Sequence, residues 1–391
     1  MLIMKEIKYP SDWQSVILGD ICYVNKNSLS EKTPKDYNFK YIDLSAVDRG
    51  KIQLSNQYIA FKDAPCRARR IIYRDDIIMS TVRPNLQGFA FVDFDSNDII
   101  CSTGFAVLTA KEQTSNKYIY QLLYSKEIET QIKNMLVGSN YPAINSSDVA
   151  SLKIFLPPLA EQKKIAEILE TWDRVIEELT GLIAEKKELK RGLMQRLLTG
   201  TQRLPGFTKT WKKTKLHDVA EISKGTQLNR LNMLEEGYPV YNGGMIESGF
   251  TNEYNNGADT IIISEGGNSC GFVNFIKTKF WAGGHCYTVF CRDCVNKSFL
   301  YQLLKYNENK LMNLRVGSGL PNIQQKALNK FPLLLPNDLA EQKAIADILS
   351  KADSEIDLLN QQLDVLKEQK RGLMQKLLTG EIRVKVDTET C

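Results

Sequence analysis

Histidine is scarce in this chain and long apolar runs are missing, and both shortages exclude classes of protein. Only two histidines, His217 and His285, occur among 391 residues, and neither lies near a nucleophile in a triad-like pattern. No stretch reaches the roughly 18 consecutive apolar residues of a membrane-spanning helix. The first residues lack the charged-then-apolar order of a secretory signal, and the eight cysteines form no disulfide-like framework. We therefore expect a cytoplasmic protein with no membrane association.

Motifs for nucleotide and cofactor chemistry are also missing. The sequence contains neither a Gly-x-x-x-x-Gly-Lys-Ser/Thr loop nor a Gly-x-Gly-x-x-Gly turn, which argues against ATP hydrolysis and a dinucleotide site. One metal-like cluster combines His285 and Cys286 with Cys291 and Cys294, but it lacks the second cysteine pair of a convincing zinc site. Buried or hairpin cysteines are the favoured alternative. We predict no metal and no catalytic residue in this chain.

Charge is distributed unevenly along the chain. The net charge of +5 permits a nucleic-acid partner without requiring one. Residues 1–158 carry 19 basic and 17 acidic side chains and residues 201–338 carry 16 and 11, whereas residues 159–200 and 339–380 are nearly balanced. The positive surplus therefore belongs to the two globular segments.

A long internal repeat organises the sequence. Residues 159–200 align with residues 339–380 at a constant offset of 180, without a gap, and 24 of the 42 aligned positions are identical. A weaker upstream similarity aligns Trp13 with Trp211. The remaining parts of the globular segments share little. We infer that the repeated segments perform one task twice, while the globular segments perform different tasks.

Both copies of the repeat predict a long helix with an apolar seam. From Ile345 to Leu366, apolar residues recur at alternating intervals of four and three, which is typical of a coiled coil. The first copy follows the same frame until Lys186 interrupts it. A helix of about 40 residues is about 60 Å long, too long to bury its seam on one domain. We predict that the two helices pair as an antiparallel, pseudo-two-fold coiled coil; a helix packed on its own domain is the competing interpretation.

The ends of these helices carry capping signals. Asp338, three residues before Glu341, predicts a capping box at the start of the second helix. Gly200 and Gly380 predict a left-handed turn where each helix ends.

The globular segments predict an α+β fold. Short apolar stretches at residues 76–80, 88–92, 260–264 and 287–290 predict strands, because turn residues bound them. Helices are predicted over residues 116–136 and 297–314. The predicted divisions are a first globular domain at 1–156, a helical region at 157–200, a second globular domain at 201–336, a second helical region at 337–380, and a tail at 381–391.

Loops of both globular segments contain side-chain types that hydrogen-bond base edges. Arg and Lys suit guanine, whereas Asn and Gln suit adenine. Phosphate contact or simple solvation is the alternative for each of them. The candidate DNA-binding residues are Arg67, Arg69, Arg70, Arg83, Asn85, Gln87, Lys224, Gln227, Asn229, Arg230, Asn242, Asn268 and Arg315.

The sequence resembles the specificity subunit of type I restriction–modification enzymes over essentially its whole length. The most specific motifs are Pro-Pro-Leu-Ala-Glu-Gln-Lys at residues 157–163 and Arg-Gly-Leu-Met-Gln-Arg-Leu-Leu-Thr-Gly at residues 191–200, with their second copies. Ile-Met-Ser-Thr-Val-Arg-Pro at residues 78–84 is also typical of that family.

The resemblance implies two target-recognition domains, each of which contacts one half of a bipartite, asymmetric site in double-stranded DNA. It also implies that the helices set the spacer and seat two modification subunits, which two motor–nuclease restriction subunits join. Adenine-N6 methylation with S-adenosylmethionine, and restriction with ATP and magnesium, then belong to those partners. This chain is expected to be non-catalytic and to bind no cofactor.

Polar residues that repeat outside the seam are candidates for partner docking. They are Glu161, Gln162, Arg191, Gln195, Glu341, Gln342, Arg371 and Gln375. Two other classes stay open: a non-catalytic coiled-coil scaffold whose globular domains bind proteins, and an enzyme such as a nuclease or a methyltransferase fragment. The missing motifs count against the enzyme.

Overall fold

The fold is taken from a computed structural model, which describes residues 9–95, 98–138, 141–317, 319 and 321–386. The chain divides into two units: unit 1 runs to Glu178 and resumes at Leu363, and unit 2 is Leu179–Gln362. Each long helix therefore contributes one end to each unit. Residues 1–8 of the first predicted domain and residues 387–391 of the predicted tail lie outside the described residues.

Unit 1 begins with an α+β segment and adds one end of each long helix. Its elements are β1 Gln14–Ile17, α1 Leu18–Ile21, β2 Cys22–Val24, β3 Asn38–Ile42, β4 Val47–Asp48, β5 Lys51–Ile52, β6 Ile59–Ala60, β7 Ala68–Ile71, β8 Ile77–Ser80, β9 Phe89–Phe91, β10 Ile99–Ser102, β11 Phe105–Ala110, α2 Asn116–Leu123, α3 Lys126–Met135, α4 Ser146–Ala150 and β12 Lys153–Leu156. The first long helix, α5, is Leu159–Leu198.

Unit 2 repeats this plan. Its elements are β13 Trp211–Lys215, α6 Leu216–Val219, β14 Ala220–Lys224, β15 Tyr238–Tyr241, β16 Gly249–Thr251, β17 Thr260–Ser264, β18 Val273–Ile276, β19 Trp281–Ala282, β20 Cys286–Cys291, α7 Lys297–Tyr306, α8 Glu308–Met312, α9 Gln325–Asn329 and β21 Pro332–Pro336. The second long helix, α10, is Leu339–Leu378.

The central sheet has the same strand order in both units. It is β2-β11-β8-β9 in unit 1 and β14-β20-β17-β18 in unit 2, and every pairing in it is antiparallel. All residues of β8 and β17 are buried, and accordingly both strands have an apolar centre, Ile-Ile-Met and Ile-Ile-Ile, followed by a serine. The prediction of strands at these places is confirmed.

Each helix predicted after the central sheet is in fact two helices. In unit 1 the break falls between α2 and α3, where the side chain of Ser125 accepts a hydrogen bond from the backbone of Ile128 and caps the second helix. In unit 2 Asn307 separates α7 from α8. A single serine or asparagine in an amphipathic pattern is only a weak signal for a helix break. The prediction of one continuous helix in each unit was therefore wrong.

The predicted seam is the least exposed row of α10. Ile345, Leu349, Ile356 and Leu363 are buried, while Leu358 and Val365 on the other face are each 55% exposed. Lys186, which interrupts the seam of α5, is half-buried, and its Nζ lies 2.5 Å from a carboxylate oxygen of Glu355. The lysine therefore keeps its place in the seam by pairing with an acidic residue on the other helix.

The C-terminal ends of the two long helices agree with the prediction, whereas the N-terminal end of α10 differs from it. Gly200 and Gly380 have φ of +69° and +72°, so the left-handed stops are confirmed. At the start of α10, Asp338 accepts a hydrogen bond from the backbone of Ala340 at 2.9 Å. The Glu341 carboxylate instead binds Arg203, so the prediction of a reciprocal capping box was wrong.

Candidate nucleic-acid interface

Both units place a loop at the end of the buried central strand, and the same backbone hydrogen bonds hold it. We call residues 81–87 turn 1 and residues 265–269 turn 2. In turn 1 the Arg83 amide donates to Pro142 (2.7 Å), and the Thr81 carbonyl accepts from Ile144 (3.0 Å). In turn 2 the Gly267 amide donates to Pro321 (3.0 Å), and the Glu265 carbonyl accepts from Ile323 (2.9 Å). One frame therefore presents two different sets of side chains.

Turn 1 brings three of the predicted DNA-binding residues together. Arg83, Asn85 and Gln87 lie on or beside the 3₁₀ turn Pro84–Leu86, and both Arg83 and Gln87 have positive φ, at +49° and +58°. The Arg83 guanidinium lies 4.4 Å from the ring centroid of Tyr141, a side chain that is 69% exposed. An arginine stacked on a ring loses little further freedom on binding, which suits a contact to a base or a phosphate.

The other arginines predicted in unit 1 differ in their surroundings. Arg67 is exposed, and its carbonyl accepts from Thr103, next to the Gly104 that hydrogen-bonds turn 1. Arg69 lies 4.7 Å from the ring centroid of Phe61, and Arg70 donates to Ser28 at 3.0 Å. Arg69 and Arg70 are half-buried in β7 and contact side chains of their own globular segment, so the exposed Arg67 is the more accessible candidate.

Turn 2 borders a cavity of about 520 Å³ in unit 2. Two predicted residues, Lys224 and Asn242, line it together with Glu265 and His285. The Lys224 Nζ lies 2.7 Å from Glu265 Oε1, and His285 Nδ1 lies 3.4 Å from Glu265 Oε2. Burial, and after it the Glu265 carboxylate, raises the pKa of Tyr287 to about 12, so its hydroxyl stays protonated and its one proton is shared between Glu265 Oε1 at 3.1 Å and the Ile323 carbonyl at 3.0 Å.

The remaining candidates in unit 2 are all exposed. Asn268 lies on turn 2. Arg315 lies near Cys270: burial raises the pKa of that thiol, and the arginine opposes the shift. Asn229 caps the 3₁₀ turn Arg230–Asn232 by accepting from Leu231 at 3.1 Å, so part of its hydrogen-bonding capacity is used. Gln227 and Arg230 lie in the same loop.

Sequence reasoning missed Glu265 and Tyr141, and it considered His285 only as a metal ligand. A gapped comparison of the two globular segments contains a sequence signal that identifies the position of Glu265. Ser80 pairs with Phe105 and Ser264 pairs with Cys286, so a gapped alignment places Thr81 opposite Glu265. The different lengths of the two globular segments conceal that correspondence.

Four of the residues predicted to dock partners are buried and have partners inside their own unit. Glu161 accepts from Arg383 Nε at 2.7 Å and from Trp13 at 3.3 Å, and Glu341 accepts from Arg203 Nε at 2.6 Å and from Trp211 at 3.4 Å. The equivalent ligands, Arg203 and Arg383, are also 180 residues apart. We call these the two carboxylate joints; they fasten the start of each long helix to the segment that follows the other one.

The neighbouring glutamines have a similar structural role. Gln162 accepts from the Ser115 amide at 2.9 Å and donates to Pro157, and Gln342 accepts from the Asn296 amide at 2.7 Å and donates to Pro336. Because Glu161, Gln162, Glu341 and Gln342 are at most 3% exposed, their prediction as a docking surface is corrected. Repetition in sequence marked a repeated internal contact.

The other four docking candidates have at least partly accessible side chains. Arg191 and Arg371 are exposed and pair with Glu188 and Glu368 one turn earlier in their own helices. Gln195 is exposed, while Gln375 is half-buried and donates to Glu127 at 2.7 Å. The prediction for these four stays a prediction.

The Arg203→Met substitution is expected to destabilise the chain by about 3 kcal/mol, because it leaves the buried Glu341 carboxylate without its charged partner. Thermal or urea unfolding of the isolated chain measures this. Arg191→Met is the matched control in the same unit, where an exposed pair contributes about 0.5 kcal/mol or less. Equal losses in the two variants would show that the joint does not stabilise the fold.

The suspected metal cluster does not converge. Cys286 and Cys291 lie at opposite ends of β20, about 17 Å apart at roughly 3.3 Å per residue. Burial raises the pKa of Cys286 to about 12 and that of Cys291 to about 11, as is usual for cysteines packed inside a fold. Across the described residues, no group of three or more histidine, cysteine or acidic side chains is placed to hold a metal ion.

Comparison with known proteins gives the family. The model for the type I restriction modification DNA specificity domain matches residues 10–191 and 208–368. The chain belongs to this family. The MjaVIII specificity subunit of Methanocaldococcus jannaschii is 25% identical, with 98% of this chain and 96% of that one covered. A putative type I specificity subunit of Mycoplasma pneumoniae is 33% identical over 172 residues, which is 43% of this chain and 46% of that one.

Solved structures agree with the fold. A chain from the type I R-M system has a TM-score of 0.62 and 27% identity, covering 96% of this chain and 100% of its own length. The S subunit of M. genitalium has a TM-score of 0.67 at 19% identity, which supports the fold alone. Within the described part of the chain, no helix has the length and apolar character needed to cross a bilayer.

Proposed function

We propose that each unit of this specificity subunit binds one half of a bipartite, asymmetric site in double-stranded DNA. The observation that carries the proposal is the shared frame of the two turns. Thr81 and Arg83 in unit 1 occupy the positions of Glu265 and Gly267 in unit 2. The two turns thus carry different hydrogen-bonding groups at equivalent positions. Such a difference suits two different half-sites, because base edges are distinguished by their pattern of donors and acceptors.

The long helices, in this proposal, pair as a pseudo-two-fold antiparallel coiled coil and set the spacer between the half-sites. Two ion pairs support this. Lys370 lies 2.5 Å from Asp173 in unit 1, and Lys190 pairs with Asp353 in unit 2. Gln121 and Gln302 donate to the same two aspartates, so each globular segment is attached to both helices. Elements that contact successive turns of B-DNA need a fixed separation, and paired helices supply one.

Partner subunits supply the chemistry in this proposal. Two modification subunits dock on the helices, with Arg191, Gln195, Arg371 and Gln375 as the accessible repeated residues, and two restriction subunits join them. Adenine methylation with S-adenosylmethionine, and restriction with ATP and magnesium, belong to these partners, so this chain is non-catalytic. Its place is the cytoplasm, where the DNA is.

Genome-wide mapping of N6-methyladenine tests the proposal. Cells that express the cognate modification subunit together with this chain are expected to methylate one bipartite motif at nearly every occurrence. Cells with the modification subunit alone are the control and should leave that motif unmodified. Identical methylation in both strains would contradict the proposal and favour a protein-binding scaffold.

A further inference from the structure

The polar groups around the cavity of unit 2 form an ordered arrangement. The Glu265 side chain is 12% exposed, while those of Lys224 and His285 are 50% and 61% exposed. Glu265 contacts both, and the protonated hydroxyl of Tyr287 fixes it from the buried side. A buried carboxylate thus holds two accessible groups at the edge of the cavity. The lysine retains free N–H donors there, since its ammonium has three and Glu265 accepts one.

The Glu265 carboxylate also lies beside the ring of His285, with Oε2 3.4 Å from Nδ1. Because a carboxylate only accepts, it favours the imidazole tautomer that carries its proton on Nδ1, and in this tautomer Nε2 is an acceptor. The His285 amide donates to the side chain of Asn242 at 3.3 Å, which helps to hold the backbone. In that tautomer the cavity edge offers the Lys224 ammonium as a donor next to Nε2 of His285 as an acceptor.

We propose that Lys224 and His285, positioned by Glu265, contact one G·C pair of the unit 2 half-site in the major groove. Guanine presents two acceptors there, O6 and N7, and cytosine presents the N4 amino donor beside them. Lys224 supplies donors to guanine, and His285 Nε2 accepts from cytosine. An A·T pair presents the adenine N6 donor where guanine has O6, and the thymine O4 acceptor where cytosine has N4, so the lysine donor and the imidazole acceptor each face a group of their own kind. The inference rests on the proposed function.

Unit 1 lacks this arrangement. Val24 pairs with Leu108 as Ile222 pairs with Val289, so Lys26 occupies the position of Lys224. Thr81 and Gly104 take the places of Glu265 and His285. Lys26 lies 4.8 Å from the ring centroid of Tyr23, and Thr81, which takes the place of Glu265, has no carboxylate to pair with it. The contact to a G·C pair is therefore specific to unit 2, and Lys26 provides a matched control.

The experiment uses the complete complex of this chain with its modification subunits. Methylation rates are measured on duplexes that carry the mapped motif and on duplexes with each pair of the unit 2 half-site replaced in turn. Lys224→Met is expected to reduce discrimination at one G·C pair about tenfold to hundredfold, with the other positions unchanged. Glu265→Gln is expected to reduce discrimination at the same pair, because both contacting groups lose their anchor. Lys26→Met should leave that pair fully discriminated.

Three results would overturn the inference while leaving the proposed function intact. One is uniform weakening on all sequences with a shallower salt dependence, which marks a phosphate contact. The second is an effect at an A·T pair or in the other half-site. The third is no effect at all. If Lys224→Met does not fold, His285→Ala gives the same readout. A wild-type complex that methylates no bipartite motif would instead overturn the proposed function itself.

Discussion

Replacing residues 10–150 with the corresponding segment of another specificity subunit is expected to change one half of the methylated motif completely and leave the other half unaltered. The segment lies entirely in unit 1 and contains turn 1 with Arg83, Asn85 and Gln87. Unit 2, with its cavity and turn 2, keeps every one of its internal contacts. Methylome sequencing of cells that carry the chimaera measures the outcome.

The structure shows which residues such a chimaera has to retain. Trp13 and Gln121 donate to Glu161 and Asp173 of α5, and the Ser115 amide donates to Gln162. A graft with these three residues preserved keeps the attachment to the helix. A second graft with Gln121→Leu is the control for assembly, because it leaves Asp173 with Lys370 alone. A change in both halves of the motif would refute independent recognition by the two units.

Inserting four residues after Thr180, with a matched insertion after Asn360, is expected to lengthen the spacer and leave both half-sites unchanged. Four residues add about 6 Å to a helix at 1.5 Å per residue. At roughly 3.4 Å per base pair, this corresponds to one or two additional base pairs. The two sites lie 180 residues apart, so both helices lengthen equally. Motif mapping by methylation sequencing provides the measurement.

The control for this experiment is an insertion of the same four residues after Gly206. That residue is exposed in the segment between α5 and β13, where added length does not extend a helix. The spacer should then stay as it is in the wild-type complex. An unchanged spacer in the helix-insertion variant as well would mean that the helices do not set the distance.

The long helices were predictable because their signal is local and repeated. Spacings of four and three place apolar side chains on one side of a helix whatever the surroundings, and residues such as Ile356 and Leu363 are buried as expected. Gly200 and Gly380 took the predicted left-handed conformation for the same reason, since a missing Cβ allows it independently of distant contacts.

The roles of polar residues were less predictable. Glu161 and Glu341 appeared to be a surface presented twice, yet each is a buried ligand of an arginine more than 130 residues away in the chain. The sequence pattern of a repeated docking residue and that of a repeated internal joint are the same. Only the three-dimensional position of Arg203 and Arg383 distinguishes them.

The repeat, the seam and the short apolar stretches were sufficient, from sequence alone, to predict two α+β globular segments and two long helices, and the resemblance of the motifs implied the specificity subunit. Only the tertiary structure decided which distant side chains lie close together in space. It united Lys224, Glu265 and His285 at one cavity edge and separated Cys286 from Cys291 along one strand. The physical reason is that helical periodicity follows from hydrogen bonds between near neighbours in the chain. A site depends instead on strand pairings such as that of Ser264 with Cys286, and the loops between these strands carry no sequence pattern that predicts the pairing.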